Sequence, residues 1–331
     1  MPADTPTAPT AAPSPLKFLG PQWFTTVMGL AGLALAWAAA VPQMGIAARW
    51  VALGVGALAV LAFAALLVLN IRREQLHPEA LSADLRHPVR HAFLATLPVS
   101  LILLATLGTA LSGAAVPWLV LWLLGCALQF AVTLWVLSRW TRGNVPGGFQ
   151  WPGITPVLII PVVGNVLAPL AGVALGEPAL AAAQFGLGAF LWPVVLALIL
   201  VRIGVQGLWP ERLLPSVFIT VAPPAVIGLA LPPLGADPAW SQACWGIALF
   251  FLLWSASVLR TMLAQPFSMA WWALSFPLAA FAALTLRLAP TGQPFGFLAV
   301  PLLALATLVI AWLCLQTLRG LRQGTLLVPE G

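Results

Sequence analysis

The stretch WVALGVGALAVLAFAALLVLNI at residues 50–71, closed by Arg72 and Arg73, decides the fold. It holds no Asp, Glu, Lys, Arg or His, and a bilayer span needs roughly 20 consecutive apolar residues. Working outward from it, comparable runs occur near residues 22–40, 91–112, 117–138, 154–175, 179–203, 213–233, 240–260, 267–288 and 296–318, and none has an ionisable group near its centre. The 331 residues are 61% hydrophobic and 7% charged, far too apolar for a soluble chain of this length. Only helices and closed barrels satisfy their backbone in hydrocarbon. The chain therefore reads as an all-α polytopic membrane protein with ten transmembrane helices. Residues 1–16, rich in Pro, Ala and Thr, are expected to be a disordered N-terminal tail. Residues 17–320 form the membrane domain, and 321–331 a short cytoplasmic tail.

The few charges set the orientation. With the N-terminus in the cytoplasm and ten helices alternating, that side holds Lys17, Arg72, Arg73, Arg86, Arg90, Arg139, Arg142, Arg202, Arg212, Arg260, Arg319 and Arg322. The far side holds Arg49 and Arg287. Such asymmetry follows the positive-inside rule, places both termini in the cytoplasm of a plasma (bacterial inner) membrane, and accounts for the net charge of +6 without a nucleic-acid partner. Arginines around a pore mouth would concentrate anions; they would equally bind lipid headgroups. Trp23, Trp50, Trp118, Trp140, Trp209, Trp240 and Trp312 lie near run ends, as interfacial anchors do. Cys126, Cys244 and Cys314 sit inside apolar runs and read as small hydrophobes. No cofactor or metal is expected.

Alternate helices repeat one pattern. The odd-numbered ones begin at or just after Pro21, Pro88, Pro156, Pro215 and Pro266. Most carry a second breaker within: Pro98, Pro161 and Pro169, Pro223 and Pro224, and Pro277, with Gly29 and Gly32 in the first. A helical proline removes a backbone bond and kinks the chain, and in a membrane the freed carbonyl must find a partner or line a wet cavity. Five kinked helices, one from each of five helical hairpins, would form an inner ring around a central pore. Thr25, Thr26, Ser100, Asn165, Thr220 and Ser275 also fall in odd helices. Each offers a hydroxyl or amide to a passing ion, or a hydrogen bond to a neighbouring helix. Gln129 and Gln184, in even helices, read as packing contacts.

The segment Phe267-Ser-Met-Ala-Trp-Trp-Ala-Leu-Ser-Phe-Pro277 resembles the tellurite-resistance/C4-dicarboxylate transporter family, which takes in the TehA-type bacterial proteins and the slow-type anion channels of plants. Pro21-Gln-Trp-Phe-Thr-Thr-Val-Met-Gly29 is similar to its first helix, His87-Pro-Val-Arg-His91 to the start of its third, and Ile154-Thr-Pro156 followed by Pro161-Val-Val-Gly-Asn165 to its fifth. The resemblance covers about residues 20–320. It implies five hairpins about a quasi-fivefold axis, a pore through each protomer, a homotrimer, and a plug at Phe276. A ring at that position, just before Pro277, could close a narrow neutral pore by bulk and dewetting.

Three functions compete. Passive permeation of small inorganic or organic anions needs a basic mouth, neutral pore groups and a gate. It favours weakly hydrated ions, because dehydrating an ion costs far more than neutral hydrogen bonds return. A proton-coupled C4-dicarboxylate or sulfite carrier would use a titratable group. None lies mid-membrane, but His87 and His91, beside Arg90, stand four apart at the third helix's start and are candidates for pH sensing or a solvated pair at the headgroups. An intramembrane enzyme or haem protein finds no catalytic carboxylate in the spans. An anion channel, not an enzyme, is the expectation, with lipids and further copies of the chain as partners.

Overall fold

The computed structural model describes residues 14–143, 145 and 148–328. Most of the expected tail, residues 1–13, lies outside them, while Pro15–Phe18 forms a 3-10 turn. Among the described residues the chain is helical and has no strand. Nine helices are long and apolar enough to cross a bilayer: α1 (Pro21–Ala39), α2 (Ile46–Leu76), α3 (Arg90–Ser112), α4 (Val116–Trp140), α6 (Pro178–Gln206), α7 (Glu211–Leu234), α8 (Pro238–Ala256), α9 (Met269–Thr291) and α10 (Phe295–Gln323). The fifth position is held by a shorter helical segment, α5 (Pro156–Gly172). It is broken into 3-10 and α pieces around Pro161, Gly164 and Pro169.

Each odd helix packs on the even helix that follows it, giving five hairpins. The odd helices also touch one another in a closed cycle, α1 to α3, α5, α7, α9 and back to α1. At least two thirds of the apolar stretch is buried in α1, α3, α7 and α9, against a third or less in every long even helix. The even helices present Leu61, Phe190, Phe297 and Leu308 to the outside, a lipid-facing surface that an aqueous protein would not expose.

The two sets also differ in backbone. The even helices are α throughout, whereas every odd helix starts as 3-10 at the arginine-rich end. The switch to α comes at Thr25, Thr96, Ile159, Ala222 and Ser275. In four of the five, a proline is the second or third α residue: Pro98, Pro161, Pro223 with Pro224, and Pro277. The expected mid-helix kink is thus a change of hydrogen-bond register, with proline where a missing N–H disturbs least.

Close approach inside the ring depends on absent side chains. A Cβ on Gly29 would lie 2.3 Å from Ser275 Oγ, and one on Gly164 2.5 Å from Gln129 Nε2. Of the expected interfacial tryptophans, Trp50 and Trp240 are exposed, but Trp23 and Trp209 are buried. The Trp209 indole donates to Ile154 O at 2.9 Å, so this ring is a core strut between α5 and the start of α7.

Candidate functional site

Hydroxyls at the register switch serve the backbone. Thr25 donates to Gln22 O at 2.7 Å, Thr26 to Trp23 O at 2.8 Å, Thr220 to Val217 O at 2.8 Å and Ser275 to Trp272 O at 2.6 Å. Ser100 donates to Thr96 O at 2.7 Å. Thr96, which the sequence reading did not single out, reaches both Phe93 O and Pro21 O at 2.7 Å and ties α3 to α1. Its sequence signal is the pattern Thr96-Leu-Pro98, repeated as Ser275-Phe-Pro277. Ser100 apart, each hydroxyl turns back to the carbonyl three residues before it, which also accepts the backbone N–H of the same residue at Thr25, Thr96 and Ser275.

The broken α5 is served from outside the ring. Pro161 O accepts from Gln129 Nε2 at 2.8 Å and from Thr133 Oγ1 at 2.5 Å. Asn165 Nδ2 donates to Thr133 Oγ1 at 2.8 Å and Val162 O at 2.9 Å, and Asn165 Oδ1 accepts from Gln184 Nε2 at 3.0 Å. Asn165 is fully buried in this network. Gln129 and Gln184 are packing contacts, as expected, and also supply the partners a disrupted membrane helix requires.

A cavity of about 330 Å³ lies inside the ring. All five odd helices line it, together with the residues that lead into them, and no even helix does. Its rim, at the basic end, carries Gln22, His87, Arg90, Arg212 and Ser268. Its walls are mainly apolar: Met28, Phe93, Val99, Ile160, Ile219 and Trp272 among them. The last lining residues, Met28, Val99, Leu167, Val226 and Pro277, all stop short of the far ends of their helices. Beyond that level the inner helices bury Ala31, Ala105, Ala230, Ala279 and Leu284 against each other. Phe276 is half-buried at the inner end of the cavity. Its ring fills the space above Gly32, where a Cβ would stand 3.0 Å from Phe276 Cδ2.

Of the residues singled out from the sequence, the structure brings Thr25, His87, Arg90, Phe276 and Pro277 to the cavity. Thr26, Gly29, Pro98, Ser100, Asn165, Thr220, Pro223 and Ser275 are buried between helices, as are Pro161 and His91. The two histidines are separated. His87 Nδ1 accepts the Val89 and Arg90 N–H groups at 3.1 Å. His91 packs edge-on to Trp135, its Nδ1 3.0 Å from His87 O, and since a carbonyl only accepts, that nitrogen carries a proton. A solvated histidine pair is not what forms.

The mouth widens into a polar vestibule of about 430 Å³ that shares Gln22, His87, Arg90 and Arg212 with the cavity. Lys17, Arg73, Arg90 and Arg212 line it together with Asp84. Arg73 pairs with Asp84 at 2.6 Å and donates to Lys17 O at 2.9 Å; Arg90 Nε is 3.4 Å from the other Asp84 oxygen. Lys17 reaches Glu79 at 3.1 Å, and this hydrogen bond holds the Glu79 carboxyl below the usual carboxylate range. Arg212 and Gln22 escaped the sequence reading, Arg212 because it was counted only toward topology.

An apolar chamber with a cationic mouth, enclosed by five helices of an all-α membrane chain, defines a membrane protein of anion transport. The family model described as SLAC1, voltage-dependent anion channel, matches residues 19–318, and the chain belongs to that family. An uncharacterised transporter of Methanocaldococcus jannaschii is 29% identical over 294 residues, covering 81% of this chain and 83% of that protein. The S-type anion channels SLAH2 and SLAH3 of Arabidopsis thaliana are 27% and 28% identical over 236 and 244 residues. Those matches take in 70% and 72% of this chain but only 45% and 38% of the plant channels, so the chain spans less than half of their length.

Proposed function

We propose that the protein is a passive pore for small anions, entered at its basic end and closed midway by Phe276. The observation that carries this reading is the cavity lined by the five odd helices, whose lining on α9 stops at Phe276 and Pro277. A neutral constriction filled by one aromatic side chain excludes water and so excludes ions. Arginines at the mouth raise the local anion concentration. Because the wall hydroxyls are bound to backbone carbonyls, an ion receives little replacement for its hydration shell. Nitrate and iodide should therefore pass more readily than chloride, and divalent ions such as tellurite or a C4-dicarboxylate least of all unless protonated.

The bias of arginines to one end supports a plasma-membrane orientation with both termini cytoplasmic. The family resemblance supports a homotrimer with one pore in each protomer. The test is anion current in planar bilayers for the wild type and Phe276→Ala. A nearly silent wild type and a conducting variant, with nitrate above chloride, is the expected result. Silence of both, with pH-dependent uptake of malate or sulfite into proteoliposomes, overturns the channel in favour of a coupled carrier.

A further inference from the structure

The chamber differs in character from its rim. Arg90 and Arg212 stand at the mouth, and the walls below are built from aliphatic and aromatic side chains. The two hydroxyls on those walls, Thr25 and Ser216, donate to Gln22 O at 2.7 Å and Leu213 O at 2.6 Å, so neither proton is left for a ligand. An inorganic anion that descends past the rim exchanges water for hydrocarbon and gains no donor. A molecule whose charge stays at the rim while its apolar part descends meets no such penalty. The stretch of α9 from Ser268 to Phe276 sets the depth, about 14 Å at helical rises of 1.5–2.0 Å per residue. The volume of about 330 Å³ falls at the small end of organic ligand sites, which are mostly apolar with a few polar groups that fix orientation.

We propose that the chamber binds an organic monoanion with an apolar tail, a medium-length monocarboxylate, with its charge held between Arg90 and Arg212 and its tail reaching toward Phe276. This inference rests on the same basic rim as the pore reading, but not on conduction. The ligand enters from water, because the lining comes only from the inner helices and their leading residues and the rim is shared with the polar vestibule. Occupied, the site would obstruct the path to Phe276 from the basic side.

Trp272 on the chamber wall supplies the readout. The full chain in nanodiscs is titrated with 8-bromooctanoate, whose bromine quenches a tryptophan it touches, and in parallel with 8-bromooctan-1-ol. The expected result is a saturable quench by the carboxylate alone, smaller in amplitude in Trp272→Phe. Its midpoint should rise at least about tenfold in Arg90→Gln, as loss of one charge-assisted hydrogen bond requires. Ala273→Phe, which narrows the chamber without touching the rim, should remove the saturable phase even if Arg90→Gln fails to fold. A non-saturating quench, equal for acid and alcohol and unchanged in the variants, would mean partition into the bilayer and overturn the site. Nitrate current through Phe276→Ala with no saturable quench would keep the pore and discard this site. A saturable quench with a silent Phe276→Ala would do the reverse.

Discussion

At Gly32 the first inner helix has no side chain, and the Phe276 ring occupies the place where one would be. A methyl added at Gly32 would stand 3.0 Å from Phe276 Cδ2 and 3.3 Å from Ala279 Cβ, so in Gly32→Ala the ring has to give by a few tenths of an ångström or the two helices part slightly. Gly32→Ala should therefore raise basal current in bilayer recordings, by less than Phe276→Ala does. Adding it to Phe276→Ala should produce little further gain, because the tightest contact is with the ring and only the 3.3 Å approach to Ala279 Cβ remains without it; a fully additive pair would show that the two residues act independently. Gly29 has a different role. There a methyl would meet Ser275 Oγ at 2.3 Å, away from the cavity, so Gly29→Ala should cost about 1–3 kcal/mol, seen as a lower Tm in detergent. The importance of these glycines was legible in Gly29-x-x-Gly32 beside a proline-marked partner helix. Which of them meets the ring was not, since that depends on helix rotation. The hydroxyls misled for a related reason: Ser275 and Thr220 lie on the right helices, but in a helical turn a Ser or Thr side chain folds back on the carbonyl three residues before it rather than pointing outward.

Helix α5 is the element with the least backbone support of its own and the most supplied by others. Gln129 and Thr133 of α4 both reach Pro161 O, and Gln184 of α6 reaches Asn165. Removing one partner from a buried group costs about 1–3 kcal/mol, whereas a carbonyl with two donors tolerates the loss of one. Thr133→Val alone should therefore lower thermal stability only slightly, Gln129→Leu likewise, and the double variant by more than the sum. Additive losses would show that Asn165 Nδ2, 3.4 Å from Pro161 O, takes over the carbonyl when both donors are gone. The sequence marks α5 as unusual through Pro161, Asn165 and Pro169, and it marks the odd helices as a set. It does not show that their first turns are 3-10, because a proline in the second or third α position has the same spelling as a mid-helix kink. The burial contrast between odd and even helices, by comparison, follows directly from where the prolines and glycines are spent.

For the molecule as a whole, the decisive asymmetry is between one basic mouth and a neutral interior. The buried pair Arg73–Asp84 is a structural part of that mouth: Asp84→Asn would leave Arg73 buried without its carboxylate, a change worth about 3–5 kcal/mol, and should yield a protein that unfolds far earlier on heating. Arg90 is about a third exposed and only loosely paired with Asp84, so in the proposed pore its charge is available to an ion at the mouth. A charge that acts by attracting counter-ions loses its influence when salt screens it, over about 10 Å at 0.1 M and about 3 Å at 1 M. In the conducting Phe276→Ala background, Arg90→Gln should thus reduce inward-drawn anion current severalfold at low salt and hardly at all at 1 M, while the order nitrate over chloride stays as it was. If Arg90 instead bound the permeating ion directly, the reduction would persist at 1 M and the order would change. Selectivity set by a dry interior and throughput set by a charged rim are then separable, because the five helices that enclose the chamber give its charges to one end alone.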